Sequence, residues 1–588
     1  MEIKLINSNV EGITKHLNSD CLAIDFEASG LDPYTTVPWL FSVKPSNHNV
    51  TYVIDVQKCS LEPIRNVLES SLLIGANISY DLKLLRHMGF RPRRVYCVVV
   101  AERVLSAGIR VGENDLASII KRRIGVSLDK EVRSSFIMLY EDAKKVDKNI
   151  KWAEAQVMYA AKDVEYLHPV YISQLEEAHR ADVEYVIKCE SNLVPVVADM
   201  EYVGIGFDKE KWLKLDEEHR LQKSILYGEI CDELVIPKTR MTLFPETTGS
   251  IYDLNIDSPI LVKKLLSSYG IDVPDTKEET LKDIDVPICK KLIEYRKLEK
   301  SITSYGRNWL SYINPVTGRI HSSFNQVRCD TGRFGSSEPN LQNIPATIEY
   351  RSCFIAPKGR KLITADYAGI ELRIIAEFSS DETMIKAFNG TNDVHSETAA
   401  LIFGLPVEEC GKGTKYRDIG KTLNYSLLYG QGDDKLAIKL GVSLEEAAKI
   451  RAAYSERFAN IMSWLEKAGE EAVKEGYCAT PLGRKRWFTK NTSLYEMKAS
   501  GRNTPIQGTS ADMIKIAQII LNKKLLIADT DAFMVDVIHD ELLVEADENI
   551  VDDVSKVIEE SMVEAGSIFL KRVPIKVSLS VGDCWSKD

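Results

Sequence analysis

Two apolar runs, Ala532–Ile538 and Leu542–Ala546, enclose His539-Asp540-Glu541. No other feature constrains the fold of this chain as tightly. Apolar runs of this length read as strands, and three polar residues between them read as the tight turn of a hairpin. Burying such strands draws the turn toward a core, where an uncompensated carboxylate is costly. The turn is then either an ordinary solvated one or a site whose acids serve a metal or ligand. A distant segment favours the second reading. Lys361–Arg373, KLITADYAGIELR, reads as a strand running into a helix, with Asp366 at the end of the strand.

Between these two acidic strand ends lies Arg417-Asp-Ile-Gly-Lys421-Thr-Leu-Asn-Tyr425-Ser-Leu-Leu-Tyr429-Gly430. Arg417, Lys421 and Tyr425 recur every four residues and form one stripe on a helix. Two cations followed by an aromatic suit a triphosphate with a base or sugar beyond it. A solvated basic face would explain the cations but not the aromatic continuation. Gly430 is placed to stop the helix.

The N-terminal region carries a different acidic pattern. CLAIDFE, NVTYVIDV and SLLIGAN are of strand length, whereas ISYDLKLLRHMG and AEAQVMYAAKDVEYL have helical spacing, so residues 20–170 read as an α/β unit. Asp25 and Glu27 stand at i and i+2 of a strand and share a face. Asn77 and Asp81 are one turn apart if they lie on a helix, as are Tyr159 and Asp163. Four acids gathered in one place repel one another unless divalent cations neutralise them, and hard cations such as Mg²⁺ or Mn²⁺ take carboxylate oxygens. A pair of such ions can activate water against a phosphodiester, with Tyr159 orienting that water.

Composition bounds these readings without deciding them. The 588 residues allow several domains, and a net charge of −11 argues against a protein that coats nucleic acid nonspecifically. The eleven cysteines are scattered with no C-x-x-C pair, which favours reduced thiols over a disulfide framework or zinc site. There is no apolar run of membrane-spanning length and no signal-peptide pattern at the first residues, so a cytoplasmic protein without membrane contact is expected.

The N-terminal set resembles the DEDD-type 3′→5′ exonucleases with tyrosine in the third motif. That resemblance implies Asp25, Glu27, Asp81 and Asp163 as metal ligands, assisted by Tyr159. The remainder is similar to the family A DNA polymerases. The similarity rests on the two acidic strand ends, the cationic helix and four further segments. These are Thr331–Pro345 (TGRFGSSEPNLQNIP), Asp393-Val-His395, Gly483–Arg486 (GRKR) and Asn503–Thr509 (NTPIQGT). It implies that Asp366 and Asp540 hold two Mg²⁺ ions, with Glu541 supporting the site near the primer end. Arg417, Lys421 and His395 would hold the triphosphate, Tyr425 would lie against the incoming nucleotide, and Tyr429 would stack near the template base. Glu371 would crowd the sugar. Arg333, Gln342, Asn503, Gln507 and His539 would contact the primer–template duplex, partly in the minor groove, where acceptors are similar for all correct pairs.

The expected architecture is an α/β, ribonuclease H-like exonuclease domain over residues 1–185, followed by an α+β right-hand polymerase domain. In the latter, the thumb and connecting helices take 186–315, the first part of the palm 316–405, the fingers 406–499 and the second part of the palm 500–588. The expected partners are primer–template DNA and deoxynucleoside triphosphates. The chain is expected to be a monomer with two Mg²⁺ per active site, Mn²⁺ being a substitute, and no processivity partner is evident in its compact thumb. No 5′-nuclease segment is expected. Ala368-Gly369 replace the usual polar pair beside Asp366, and Ala499 stands where an arginine is common. A single-subunit RNA polymerase and a catalytically degenerate nucleic-acid-binding protein are the rival readings. Glu371, the His-Asp-Glu turn and the complete acidic sets argue against both.

Overall fold

The computed structural model describes residues 2–109, 112–128, 151–233, 256, 258–268, 270–282, 284–428 and 430–586. Tyr429 falls outside them.

Alternating apolar residues near the N-terminus build a six-stranded mixed sheet: β1 (Glu2–Ile6), β2 (Cys21–Ala28), β3 (Pro38–Pro45), β4 (Val50–Asp55), β5 (Leu72–Gly75) and β6 (Val95–Cys97). Their order is β1-β4-β3-β2-β5-β6. β3 runs antiparallel to both its neighbours, while β1 with β4, β2 with β5 and β5 with β6 are parallel. Helices Ser79–His87 and Glu154–Glu165 form at the two segments of helical spacing. Leu22, Ile24, Phe41, Ile54 and Leu73 pack one core beneath the sheet, and Ala23, Ile74 and Val98 pack another.

The C-terminal half contains a four-stranded antiparallel sheet. Its order is Ala532–Ile538, Glu541–Asp547, Arg360–Tyr367, Val577–Gly582. Helices Ile370–Ser379, Leu494–Ile527 and Val551–Phe569 accompany it.

The chain divides into two compact units. The first comprises residues 1–205, 321–344 and 356–588, so the N-terminal sheet and the C-terminal sheet belong to one body. The second comprises 206–320 and 345–355. Within it, helices Lys209–Glu233 and Pro287–Tyr305 pack around Ile230, Leu266, Leu292 and Tyr295. A satellite of Phe207, Trp212, Trp309, Tyr350 and Phe354 closes its other end. The thumb boundary expected at residue 186 lies inside helix Glu184–Val203, which is part of the first unit.

That helix is held by a buried charge cluster. Glu190 Oε1 accepts from Arg484 Nη2 and from Lys515 Nζ, each at 2.5 Å, and Asp512 Oδ1 accepts from Arg484 Nε at 2.8 Å. Glu190, Asp512 and Lys515 are 0 % exposed and Arg484 2 %. Burial pushes the Glu190 carboxyl up, but Lys515 and Arg484 together outweigh it and hold the carboxyl below its ordinary value. Lys515 also donates to Gln326 O at 2.6 Å and lies over the ring of Phe334. The 326–334 segment is thereby fixed to helix Leu494–Ile527. The basic stretch 483–486 is therefore anchored in the first unit. Lys485–Trp487 pairs with Tyr477–Ala479, and Arg484 turns inward.

Candidate active sites

The first site grows from β2. Its alternation turns Asp25 and Glu27 to one face, and helix Glu154–Glu165 brings Asp163 to them. Single oxygens of Asp25, Glu27 and Asp163 lie within 4.8 Å of one another, all three residues being half-buried. Asp81 stands behind them, 1 % exposed, its Oδ1 accepting from the Phe26 amide at 2.9 Å. The helix carrying Asp81 starts only at Ser79, and Asn77 precedes it with φ +56°. The helix face expected to join Asn77 and Asp81 does not exist, although both line the cleft. Tyr159 sits one turn before Asp163 and packs beside the Trp39 cluster.

Burial, followed by the charges of Asp81, Asp163 and Glu27, pushes Asp25 well above the ordinary carboxylate range. Burial likewise pushes Asp81 up to about 7, against the opposing amides of Phe26 and of Asp81 itself. Close, desolvated, mutually repelling oxygens are a donor set suited to a hard divalent cation. The cleft around them has a volume of about 970 Å³. Its far wall comes from a distant stretch of sequence, Ser323–Gln326 with Ser337 and Glu338. Glu201 ties this wall to the helix carrying Asp81. Its Oε1 accepts from Phe324 N at 2.7 Å, and its Oε2 accepts from Lys83 Nζ at 2.7 Å and Ser79 Oγ at 3.1 Å.

The second site lies on the antiparallel sheet. Asp366 pairs in register with Glu541, and Ile538 with Glu541 across the hairpin, so His539 and Asp540 form the two-residue turn. His539 is exposed and has φ +57°. Tyr367 N donates to Asp540 O at 3.3 Å, which sets Asp540 beside Asp366. Both acids are half-buried at adjacent strand ends, an arrangement that also suits a divalent cation. Glu541 is 2 % exposed, and its Oε1 accepts from the indole of Trp585 at 2.7 Å.

Helix Lys415–Leu428 carries the expected stripe. It ends as a glycine stop should: Gly430 has φ +66°, and Gln431 N returns to Ser426 O at 3.0 Å. The helix lies unusually close to helix Val394–Phe403. A Cβ on Gly420 would stand 2.3 Å from His395 O, so only glycine permits this approach. The rings of His395 and Tyr425 are 5.7 Å apart. Burial, then Glu371, Asp540 and Asp366, raise the Tyr425 hydroxyl above its ordinary value, which sets it among the acids of the sheet. Arg417 is engaged on both sides of the Asp393 carboxylate, at 2.9 and 3.1 Å. Lys421 is exposed on the same stripe.

Arg333 Nη2 donates to Glu371 Oε1 at 2.5 Å, a pairing absent from the sequence reading. Gln342 donates to Val537 O at 3.3 Å, at the base of the acidic hairpin. Asn503 and Gln507 lie half-buried one turn apart on helix Leu494–Ile527. The sequence reading also passed over Trp585, Asp393 as the partner of Arg417, and Glu201. Each acts through a contact whose members are far apart in the chain.

One sheet bearing clustered acids, and a second whose paired acids act on Tyr425 of a cationic helix, define the class: a nuclease joined to a nucleotidyltransferase. Comparison with known proteins gives the family. The pattern of DNA polymerase family A matches residues 248–587, and a 3′-5′ exonuclease pattern matches residues 6–177. The chain belongs to DNA polymerase family A and carries a 3′–5′ exonuclease domain ahead of the polymerase region. It is 29 % identical to DNA polymerase I of Aquifex aeolicus over 95 % of this chain and 96 % of that protein. It is 32 % identical to DNA polymerase I of Pseudomonas aeruginosa over 73 % of this chain, but spans only 47 % of that protein. Against the thermostable DNA polymerase I of Thermus aquaticus, identity is 36 % over 51 % of this chain and 36 % of that one. The POL domain of Pol1 from M. smegmatis, solved in complex with DNA primer-template and dNTP, shares the fold. The TM-score is 0.82 at 23 % identity, with 99 % of each chain covered. Enzymes of this family and their exonuclease domains are metal-dependent. Among the described residues, no helix is long and apolar enough to cross a membrane.

Proposed function

We propose that this chain extends the 3′ end of a DNA primer on a template strand and excises mispaired 3′ ends at a separate site. The observation that carries this reading is the presence of two acidic sites on two different sheets, Asp25/Glu27/Asp163 within 4.8 Å of one another and Asp366 beside Asp540. In synthesis, the primer 3′-oxygen attacks the α-phosphorus of a deoxynucleoside triphosphate, a phosphodiester forms, and pyrophosphate leaves. Arg417, Lys421 and His395 bind the triphosphate, and Tyr425 lies along the nucleotide. Glu371 crowds the sugar's 2′ position. Glu541, steadied by Trp585, supports the primer end. Arg333, Gln342, Asn503, Gln507 and His539 hold the duplex. Tyr429 is assigned to the template side by its sequence position alone.

In excision, Tyr159 orients the water that attacks the terminal phosphodiester. Asp366 and Asp540 at one site, and Asp25, Glu27, Asp81 and Asp163 at the other, would hold pairs of Mg²⁺ ions, or Mn²⁺ in their place, which would supply Lewis acidity and charge neutralisation.

Primer extension and digestion of labelled single-stranded DNA, run in parallel, test this reading. Asp540→Asn is expected to lower extension by about a thousandfold or more while digestion continues. Asp25→Ala with Glu27→Ala is expected to do the reverse. A folded variant that loses both activities would refute separate sites.

A further inference from the structure

Asn424 immediately precedes Tyr425 on helix Lys415–Leu428 and is 0 % exposed. Its amide nitrogen lies 3.1 Å from His395 Nδ1 and 3.0 Å from Thr398 Oγ1. Its amide oxygen accepts from the Tyr454 hydroxyl at 3.2 Å, while the single Thr398 hydroxyl proton goes to Val394 O at 2.8 Å, leaving Thr398 Oγ1 to accept from the amide nitrogen. Thr398 Oγ1 therefore needs a donor from the amide, so the NH₂ group faces Thr398 and the imidazole while the oxygen faces Tyr454. An amide NH₂ can only donate, so His395 Nδ1 must accept. A neutral imidazole has one donor and one acceptor nitrogen, so accepting at Nδ1 places the proton on Nε2.

We infer that Asn424 is a positioning residue that locks His395 in its Nε2–H tautomer, so that the ring meets the triphosphate of the incoming nucleotide as a hydrogen-bond donor. This deepens the triphosphate role proposed above for His395 and rests on it.

The charges around the ring explain why the tautomer matters. His395 is 8 % exposed. Asp393, Arg417 and Lys421 face it, and Tyr425 stacks at an angle beside it. Asp393 favours a second proton on the ring. Burial, the largest influence, opposes it together with Arg417 and Lys421, and the pKa falls to about 4. The ring is therefore uncharged at neutral pH and donates at Nε2 only if the proton is held there. The opposite tautomer would turn a lone pair toward phosphate oxygens. Asparagine supplies the required donor without a charge. Aspartate, nearly the same shape, would accept from Nδ1–H and reverse the assignment.

The tautomer can be read without any nucleotide. Imidazole ¹⁵N shifts of the full chain, labelled at histidine and assigned by the signal lost in His395→Ala, should report Nε2–H with an unprotonated Nδ1 from pH 6 to 9. An Nδ1–H ring, or a mixture of tautomers, would overturn the inference whatever the kinetics. In single-nucleotide insertion, Asn424→Asp should raise KM for the deoxynucleotide about tenfold at pH 8.5, with kcat changed less. The KM should return toward the unmodified value as pH falls and a second proton restores Nε2–H. The unmodified enzyme should lack that pH dependence. A folded Asn424→Asp enzyme with a low, pH-independent KM would also overturn the inference. If that variant does not fold, the tautomer measurement on the unmodified chain still decides. His395→Ala separates the two claims: an unchanged KM there rejects the triphosphate role, while the shifts report on Asn424 independently.

Discussion

Two regions of this molecule gather charged groups away from water, and they do so in opposite ways. Around Glu190, two carboxylates meet two cations, Arg484 and Lys515, and each charge has a partner of the other sign within hydrogen-bonding distance. Around Asp25, the charges that act on it are all negative: Asp81, Asp163 and Glu27. The balanced cluster is complete in itself and fastens a helix, a hairpin and the 326–334 segment together. The unbalanced one gathers like charges, a donor set suited to a divalent cation. Fully buried Glu190 and half-buried Asp25 are told apart most clearly by the sign of their neighbours. The acidic hairpin is intermediate, for Glu541 and Glu371 are held by Trp585 and Arg333 while Asp366 and Asp540 adjoin each other.

The largest expected effect breaks the balanced cluster. Lys515→Met leaves Glu190 short of a cation and should lower unfolding free energy by about 3–5 kcal/mol. Urea denaturation measures it. Adding Glu190→Gln should recover part of the loss, because the remaining charges, Arg484 and Asp512, then match. If the single variant is as stable as the parent, the cluster does not fasten these elements.

A smaller effect of opposite sign is expected at the unbalanced cluster. Asp81 has a folded pKa of about 7, above its unfolded value. Between the unfolded pKa and about pH 7 the folded state binds the extra proton, so stability without metal falls as pH rises through that window. Asp81→Asn should therefore raise metal-free stability at pH 8 by roughly 1–3 kcal/mol and leave it nearly unchanged at pH 4. The same substitution should shrink the rise in Tm that Mg²⁺ produces at pH 8. Thermal melts with and without Mg²⁺ at both pH values measure this, and a destabilised variant at pH 8 without metal would contradict the repulsive cluster.

The intermediate case is sharpened by Glu371→Ala. Removing the side chain opens the 2′ position and should improve ribonucleotide use about 10- to 100-fold relative to deoxynucleotide. It also leaves Arg333 without this carboxylate, so extension from a mispaired primer end should change with it. Competitive insertion of matched ribo and deoxy substrates decides, and unchanged sugar selectivity in an active variant rejects the role.

The smallest effect concerns Tyr425, whose hydroxyl senses Glu371, Asp540 and Asp366. That hydroxyl can replace the interaction a dideoxynucleotide lacks when its 3′-OH is missing. Tyr425→Phe should increase discrimination against dideoxynucleotides about tenfold, with little change for normal substrates. The comparison belongs in an exonuclease-deficient background, so that terminators are not excised. Equal discrimination by both enzymes would mean that the hydroxyl serves another contact.

Local pattern carried much of this structure. The runs at Cys21–Ala28, Val50–Asp55 and Leu72–Gly75 are strands, the hairpin turns at His539-Asp540, and the stripe from Arg417 to Tyr425 lies on one helix. These features repeat with the period of their own element, so they can be seen one segment at a time. β3 was not legible: proline at each end of Pro38–Pro45 disguises a strand that its two antiparallel neighbours hold in place. Asn77 is not on the expected helix because its own backbone is left-handed and the helix starts only at Ser79. Arg484 belongs to a basic run that looks solvated, and only Glu190 and Asp512, distant in the chain, turn it inward. The same holds for Asn424, which reads as an ordinary helix residue until His395 is seen beside it.

Ser323–Gln326, Ser337 and Glu338 line the exonuclease cleft, while Arg333, between them in sequence, holds Glu371 at the other site. This short stretch serves two clefts at once. A substitution here that improves one cleft is judged also by its effect on the other, so tolerated changes should be fewer than the stretch's irregular, loop-like character would suggest. A change of backbone in this part of the chain therefore reaches both sites together.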